Sequence, residues 1–368
     1  MMHSKLKLSM ATKSMMYSHQ QGMITLLMAI VLLFAISSLT MFGVHVGVME
    51  QRVSANVFRA HQAFEAAQAG IDASMALLDR QEIRRMGEAN GGIVISQYPT
   101  KTLTDSYDNS VGTYTISYET IEAHNYEHLK VSVIGKSSDN TSIKSLEQDI
   151  DFVPYISYPP PATVVAHTSI YVKDALLDNQ SKDPYTGDWW DAVIWSGGNS
   201  QIINTEIPTT SSELERIYEH SNKLKLLSDD GFFENFFIET KTNVKLRSTE
   251  VSCSTACNTS SLPQNKGLVW VTGTLTIDNN YGSQSNPVIL VVEGTLKITN
   301  GATLQGLIYV DGNWDNGNNP GSINGAIIVN GSVKTSGGMN LVYDQVAMRN
   351  IQKNLGFPVR TAGTWRDF

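Results

Sequence analysis

The chain has 368 residues, of which 41% are hydrophobic and 17% charged, and its formal net charge is −8. This length predicts two or three structural units, and low charge with 28 glycines favours an exported, β-rich protein. The acidic balance, without any run of Lys or Arg, argues against a nucleic-acid partner because phosphate contacts require clustered basic side chains.

Residues 1–22 are a basic leader, and residues 23–49 are an uncharged apolar run. The leader contains Lys5, Lys7 and Lys13 and no acidic residue, while the run contains no Asp, Glu, Lys or Arg. About 20 apolar residues in a helix span a bilayer, and the positive flank is expected to stay in the cytoplasm. A cleaved secretory signal has a shorter apolar core, of about 7–15 residues. An ordinary signal anchor is not excluded by hydropathy alone.

Residues 50–89 are predicted to continue the helix as an amphipathic half. Apolar residues recur at steps of three and four: Val53, Val57, Ala60, Phe64, Ala67, Ile71, Met75 and Leu78. This spacing places them on one face of a helix. We therefore expect one continuous helix from about Met23 to about Arg85, whose Ala-rich flanks favour close helix–helix packing. An ordinary signal anchor gives no reason for such a continuation.

Three stretches resemble the N-terminal region of PilX-type minor pilins, and the resemblance covers about residues 20–85. The stretches read Gln-Gln-Gly-Met at 20–23, Glu-Gln-Arg-Val-Ser-Ala-Asn at 50–56 and Ala-Phe-Glu-Ala-Ala-Gln-Ala at 63–69. The resemblance implies a leader that ends at Gly22, which a prepilin peptidase removes, and a mature chain that begins with a methylated Met23. It also implies a single-pass inner-membrane protein with a cytoplasmic N-terminus and a periplasmic C-terminal domain, which joins other major and minor pilins in a surface pilus.

Leu27 departs from the pattern of major pilins. In that family the fifth mature residue is a Glu, whose carboxylate pairs with the methylated ammonium of a neighbouring subunit. An unpaired charge in apolar surroundings is costly, and minor subunits often lack this Glu. The departure predicts a place at the pilus tip or in a priming complex rather than along the shaft.

Residues 90–153 are predicted to form an antiparallel β head, which with the helix makes an α+β pilin-like N-terminal module. A break at Asn90–Gly92 precedes three runs with strand character, Val111–Ile121, Leu129–Gly135 and Ile143–Phe152. His124 and His128 lie near one hairpin, where a solvated loop is favoured over a metal site. Residues 154–162 are rich in proline and predict a stiff linker.

Residues 163–368 are predicted to form an all-β C-terminal domain. In its first part, Asp188–Asp191 and Trp195 concentrate aromatic and acidic residues, for which core packing is favoured over ligand stacking. A helix is expected at Ser212–Leu227, and burial is expected for the cluster of Phe232, Phe233, Phe236 and Phe237.

A repeat at 267–335 predicts a β-solenoid. Two short apolar runs flank a shared glycine in each copy, and the glycines Gly273, Gly294, Gly312 and Gly331 follow at steps of 21, 18 and 19 residues. A period near 20 with two strands per unit suits stacked coils. A β-sandwich of repeated hairpins is the alternative.

Cys253 and Cys257 are the only cysteines. Two thiols so close in an exported chain favour a local disulfide over a pair of free thiols. No second Cys or His pair lies nearby to complete a zinc site.

Enzymatic activity is not expected, and no cofactor or metal is predicted. Glu293 and Asp311 share one repeat offset, but Thr272 and Asn330 occupy it in the other copies, which indicates a solvated turn rather than a catalytic carboxylate pair. The sequence thus predicts a minor type IV pilin. As an extension of this prediction, the C-terminal domain would adhere to a surface glycan or to a host or abiotic surface. A membrane-anchored cell-envelope solenoid scaffold and, less favoured, an anchored carbohydrate-active enzyme remain as alternatives.

Overall fold

A computed structural model describes residues 6–78, 95–104, 108–121, 127–156, 158–179, 181–182, 189–190, 192–208, 216–264 and 266–368, with side chains left undescribed at 6–21, 95–97, 181–182, 189–190 and 255. Several predicted features lie outside the described residues, namely the helix end near Arg85, the break at Asn90–Gly92, His124, Asp188, Asp191 and the start of the helix expected at Ser212.

One long helix, α1 (Leu6–Leu77), begins the fold and runs through Met49 without a break. At 1.5 Å per residue it is roughly 110 Å long. Its apolar first half is exposed, whereas Ala63, Ala66, Ala67 and Ile71 near its C-terminal end are fully buried. The predicted continuity of the helix is therefore observed, but its apolar stripe is buried only from Ala63 onward.

The helix packs against an antiparallel head sheet. Its first strands are β1 (Ile95–Gln97), β2 (Lys101–Thr104), β3 (Ser110–Thr120), β4 (His128–Ser137) and β5 (Ile143–Pro154). In β3, β4 and β5 buried and exposed residues alternate, because one face of the sheet covers α1. The predicted α+β arrangement of a long helix and an antiparallel sheet is confirmed.

Among its described residues, the region that follows β5 is mostly β-strand, with four α-helices and a short 3₁₀ turn at Thr259–Ser261. Its elements in chain order are β6 (Val164–Ala166), β7 (Ile170–Lys173), β8 (Leu176–Asp178), β9 (Ser181–Lys182), β10 (Trp189–Trp190), β11 (Ile194–Ser196), β12 (Ser200–Ile203), β13 (Ile217–Tyr218), α2 (Asn222–Lys225), α3 (Asp229–Glu234), α4 (Lys241–Arg247), β14 (Thr249–Asn258), β15 (Leu268–Ile277), β16 (Val288–Ile298), β17 (Thr303–Asp311), β18 (Trp314–Gly317), β19 (Gly321–Val329), β20 (Val333–Thr335), β21 (Met339–Val342), α5 (Gln345–Asn354), β22 (Gly356–Arg360) and β23 (Arg366–Asp367).

Two parallel sheets dominate this region. The larger has the order β13-β11-β6-β19-β17-β16-β15-β14, and the smaller has the order β12-β7-β20-β18. In the larger sheet β15 and β16 pair in register, so that Gly273 lies beside Gly294. Adjacent repeats are therefore parallel neighbours rather than hairpins. We call these two sheets the parallel stack.

The order of the stack differs from the order of the chain. Strand β6, which precedes the repeat by about a hundred residues, pairs with β19, which comes near its end, so that Val164 lies beside Ile327. Strands β11 and β13 then extend the sheet further. Strands between Val164 and Tyr218 thus form one edge of each sheet, a role that the sequence analysis did not predict.

Helices α2 to α4 correct the expectation of an all-β domain, and they replace the helix expected at Ser212–Leu227. Among the described residues of that segment, Asn222–Lys225 form an α-helix, while Ile217 forms part of β13 because it pairs with Ile194 at the edge of the stack. The four phenylalanines of and beside α3 are buried as predicted, on a layer that includes Trp270 and Tyr309.

The chain returns to the head after the stack. Strands β22 and β23 both pair antiparallel with β5, and Gly356 lies opposite Pro154. The stack is therefore inserted into the head sheet, which corrects the assignment of all residues in 163–368 to one following domain. Strand β22 was not predicted because it contains Pro358, and proline within a sheet is confined to edge strands, strand starts and bulges.

The segment predicted to be a stiff linker is packed between the two units. Ile156 is buried and forms a β-bridge with Phe237, and the backbone N–H of Ile238 donates to the carbonyl of Tyr155 at 3.0 Å. The N–H of Tyr155 in turn donates to the carbonyl of Leu355 at 3.3 Å. The head and the stack are thus joined by two adjacent chain crossings.

Candidate assembly site

The exposed half of α1 is an extended apolar surface. The segment Gly22–Leu77 contains an 18-residue window of mean hydropathy 2.5, none of it buried. Within the described part of the chain, this is the one helix long and apolar enough to cross a membrane. Met23, the predicted first mature residue, is 73% exposed, and Leu27 is 66% exposed.

The predicted processing residue Gly22 lies inside α1, and a side chain added there would meet no atom within 4 Å. Its carbonyl accepts a hydrogen bond from the Thr25 hydroxyl at 3.0 Å. That the leader ends at Gly22 stays a prediction.

The apolar surface continues past the charged residues Glu50 and Arg52. Val53, Val57 and Phe58 are each more than half exposed, although they belong to the helix that the head covers further along. A water-exposed apolar face on a helix is unfavourable by about 25 cal/mol for each Å² left uncovered. This region is therefore stabilised when another apolar surface covers it.

The small residues of α1 allow it to lie very close to its own sheet. A side chain at Gly135 would come within 2.2 Å of the carbonyl oxygen of Ala63 and 2.4 Å of the nitrogen of Ala67. A side chain at Gly70 would come within 2.4 Å of Val133. The small residues predict contacts between helices, but those from Ala63 onward contact the head.

Two ion pairs join α1 to the head. The Arg59 Nε lies 2.6 Å from a carboxylate oxygen of Asp139, and Arg360 pairs with Asp72. Hydrogen bonds from Ser137 and Thr141, and then from Arg59, hold the pKa of Asp139 far below its usual range. The carboxylate is therefore charged at any physiological pH and keeps Arg59 in place.

The PilX N-terminal family matches residues 21–72, the segment that contains the exposed half of α1 and its docking residues. The segment resembles a PilX-type minor pilin. This match covers under a fifth of the chain. Among solved structures, the crystal structure of the competence-associated pilin ComZ from Thermus thermophilus is similar at 11% identity, covering 84% of this chain and 97% of that chain. Its TM-score of 0.24 is too low to support any argument about fold or function. No curated protein sequence matches the chain.

The acidic pair of the repeat is neighbouring, as its shared offset suggested, but it is neutralised by lysines. Glu293 lies beside Asp311 in register on β16 and β17. Lys241 pairs with Asp311 and lies 3.5 Å from Glu293, while Lys245 lies 2.8 Å from Glu293. The indole N–H of Trp270 also donates to Glu293 at 3.1 Å. This cluster attaches α4 to the stack.

The pKa values of this cluster follow from the ion pairs. Burial opposes the charge on Glu293, but hydrogen bonds from Lys245 and Trp270 outweigh it, and the pKa of Glu293 is lowered. Burial likewise opposes the charge on Lys241, but Asp311 and Glu293 raise its pKa. Both partners are thus charged near neutral pH. Lys241 and Lys245 are not among the predicted site residues, and their spacing of four on one helix is the signal that the sequence offers.

The cysteines and His128 do not form a common site with the acidic pair. The structure joins Cys253 and Cys257, whose Cα atoms are 5.4 Å apart, on β14 at the edge of the larger sheet. His128 lies 2.5 Å from a carboxylate oxygen of Asp151. Within the described ranges, no three His, Cys, Asp or Glu side chains are grouped as a metal site would require.

Proposed function

We propose that the chain is a minor type IV pilin, cleaved after Gly22, that enters the pilus through α1. The supporting observation is that the N-terminal half of α1 is apolar and exposed. It continues without a break into the C-terminal half, which packs on the head. Such a helix is stable in a bilayer as a single span and, once extracted, buries the same face against the helices of other subunits. In this proposal the prepilin peptidase and other pilins are its partners, and the head and stack are periplasmic before assembly.

The N-terminus of the mature protein tests this proposal most directly. Mass spectrometry of the chain from cells with the prepilin peptidase is expected to find N-methylated Met23, and cells without the peptidase are expected to keep the leader. The protein should also co-purify with sheared pili. An intact leader in both strains, with no protein in the sheared fraction, would instead favour a plain membrane anchor for an envelope scaffold.

We further propose a position at the pilus tip or in a priming complex, because Leu27 cannot supply the carboxylate that shaft subunits use. Immunogold labelling of the wild type is expected at filament ends. The variant Leu27→Glu tests whether the missing carboxylate sets this position, since it should shift part of the labelling into the shaft. The control Leu27→Gln, which has similar size and no charge, should not. Uniform shaft labelling of the wild type would contradict this position.

The parallel stack is proposed to be a β-solenoid. Each strand of the smaller sheet follows a strand of the larger one along the chain, as β18 follows β17 and β20 follows β19, which successive coils require. Thr276 lies beside Lys297 in register. Oxidation of Thr276→Cys with Lys297→Cys should therefore give a crosslinked peptide, and Thr276→Cys with Thr295→Cys should not. The reverse result would indicate a different pairing.

A further inference from the structure

The smaller sheet of the stack forms one wall of a groove. A cavity of about 690 Å³ lies where its strands end, and it is lined by Tyr171, Lys173 and Asp174 of the β7 side together with Asn318, Lys334 and Ser336. This volume falls within the roughly 300–1,000 Å³ typical of sites for small ligands. In β7 and β20 the buried residues alternate with outward ones, so Tyr171 and Lys334, which are in register, both face outward from the stack.

The turns that border the groove are held by hydrogen bonds between successive strands. The N–H of Ser336 donates to the carbonyl of Gly317 at 2.9 Å, and the N–H of Gly338 donates to the carbonyl of Asp174 at 2.7 Å. Gly337 has a φ of +77°, and a side chain there would come within 2.7 Å of the carbonyl oxygen of Asn318. A groove with so little freedom loses little entropy when a ligand binds.

The charges of the groove cancel in pairs. The Lys173 ammonium lies 3.7 Å from the Asp174 carboxylate, and the Lys334 ammonium lies 3.4 Å from the carboxylate of Asp315 on the adjacent strand. A polyanion such as nucleic acid would need uncompensated positive charge. The groove instead offers alternating donors and acceptors with little net charge.

The side chains in the groove match the groups of a sugar. The Ser336 hydroxyl donates to the Asn318 amide oxygen and so orients this amide, which carries both a donor and an acceptor. Tyr171 adds an aromatic ring that can contact the apolar face of a pyranose. Its phenol hydroxyl can form a hydrogen bond with a neighbouring hydroxyl of the sugar. Exposed ion pairs contribute little to stability, so both lysines can exchange their partners for ligand hydroxyls.

We propose that this groove binds a neutral carbohydrate chain. This inference assigns a ligand class and a binding site to the stack. A role of the groove in adhesion rests on the proposed function as a pilin. Tyr171 provides the aromatic contact, Lys334 and Asn318 bind hydroxyls from the β20 side, and Lys173 and Asp174 bind them from the β7 side.

Binding is tested with the full chain in a detergent that has no sugar headgroup. The probes are cellohexaose, chitohexaose and maltohexaose, with a 20-base-pair DNA duplex as a polyanion, measured by saturation-transfer NMR and calorimetry. At least one hexasaccharide is expected to bind saturably, and Tyr171→Ala and Lys334→Ala should each weaken its Kd at least tenfold. Tyr158→Ala, which removes a tyrosine 72% exposed elsewhere, should change the Kd less than twofold.

The result that overturns the inference is absence of binding to all three hexasaccharides, binding of DNA alone, or binding unaffected by both groove substitutions. Thermal unfolding reports whether each variant folds, and Tyr171→Phe, which keeps the ring, provides a second test if Tyr171→Ala does not fold. Sheared pili distinguish the two proposals. Sugar binding without pilus incorporation would refute the proposed function alone, and incorporation without sugar binding would refute this inference alone.

Discussion

Gly135 is the residue at which the helix and the head sheet come closest. Because the atoms that a new side chain would meet there are backbone atoms of Ala63 and Ala67, no side-chain rotation can relieve the contact. Gly135→Ala is therefore expected to lower the free energy of unfolding of the head by about 1–3 kcal/mol, as overpacking in a core does. Thermal unfolding in detergent measures the change.

The matched control for this prediction is Gly43→Ala. Gly43 lies in the exposed half of α1, where a side chain would meet nothing within 4 Å, and alanine is the better helix former. Its unfolding temperature should be unchanged or slightly higher. An equal effect of the two substitutions would show that the contact at Gly135 is not tight.

Glu293 is expected to give the stack a pH-dependent stability. Because its folded pKa is lowered, its ionised form contributes stability above its ordinary pKa, and that contribution is lost as the pH falls through the lowered value. Glu293→Gln should destabilise the protein at pH 7 by about 1–3 kcal/mol, since a charged hydrogen bond is removed. The difference in unfolding temperature from the wild type should shrink at pH 3.

Asp315→Asn provides the comparison for Glu293, because Asp315 is more than half exposed and its pair with Lys334 is open to solvent. Its effect at pH 7 should stay within about 1 kcal/mol. A difference between wild type and Glu293→Gln that is as large at pH 3 as at pH 7 would contradict the ionic origin of this stability.

At the scale of single elements, β14 shows how the disulfide serves the stack. This strand is the edge of the larger sheet, and its register with β15 shifts between Cys253 and Cys257. Irregular edges prevent one sheet from pairing with another. The short loop should itself contribute less than the roughly 3 kcal/mol expected for a fifteen-residue loop, so its main effect is on the shape of the edge.

The state of the two thiols is tested by alkylation of the folded protein without reductant. We expect both Cys253 and Cys257 to remain unmodified, and after reduction both should react. The variant with both residues changed to Ser should self-associate more readily in size-exclusion chromatography, because the edge is then less constrained. Rapid labelling of the untreated protein would rule out the bridge.

Elements whose signals are local could be predicted from the sequence, and elements defined by distant partners could not. The helix through Met49 follows from spacing alone, and the repeat around Gly273 and Gly294 follows from a period that the structure places in register. By contrast, β13 takes its conformation from Ile194 and β22 from a strand about two hundred residues earlier. Neither pairing leaves a pattern within its own segment.

The candidate sites follow the same rule. The exposed face of α1 could be predicted because it depends on composition, and the neighbouring position of Glu293 and Asp311 because it depends on the repeat. The lysines of α4 offered only their helical spacing as a signal, and the groove around Tyr171 could not be predicted because strands distant in the chain pair there. The groove depends on the pairing of β7 with β20, which are far apart in the sequence.

At the scale of the whole molecule, the inserted stack should be removable. Tyr155 and Leu355 are hydrogen-bonded neighbours at the two crossings, so an Asn-Gly turn can join them as a hairpin in place of residues 156–354. The shortened protein is expected to keep an antiparallel head with a cooperative thermal transition, and to enter sheared pili. Circular dichroism and immunoblotting measure these outcomes.

The control for this deletion also removes β22 and β23, leaving β5 without its outer partners. It should lose the cooperative transition or unfold at a clearly lower temperature, because the pairing of β5 with β22 and the ring contact of Tyr155 with Phe357 are lost. If the shortened protein with both strands also lacks a transition, the head depends on the stack for folding and the two units are not separable.

For the membrane-anchored pilin that we propose, the insertion determines the order in which the strands of the head would cross the membrane. A polypeptide that crosses the membrane from its N-terminal anchor delivers β5 first and β22 only after every residue of the stack has followed. The head sheet is thus sealed late, and a translocation product arrested inside the stack presents a bare β5 edge to proteases and chaperones. In the proposed topology, an arrested subunit would therefore differ from a finished one by the exposed edge of that single strand.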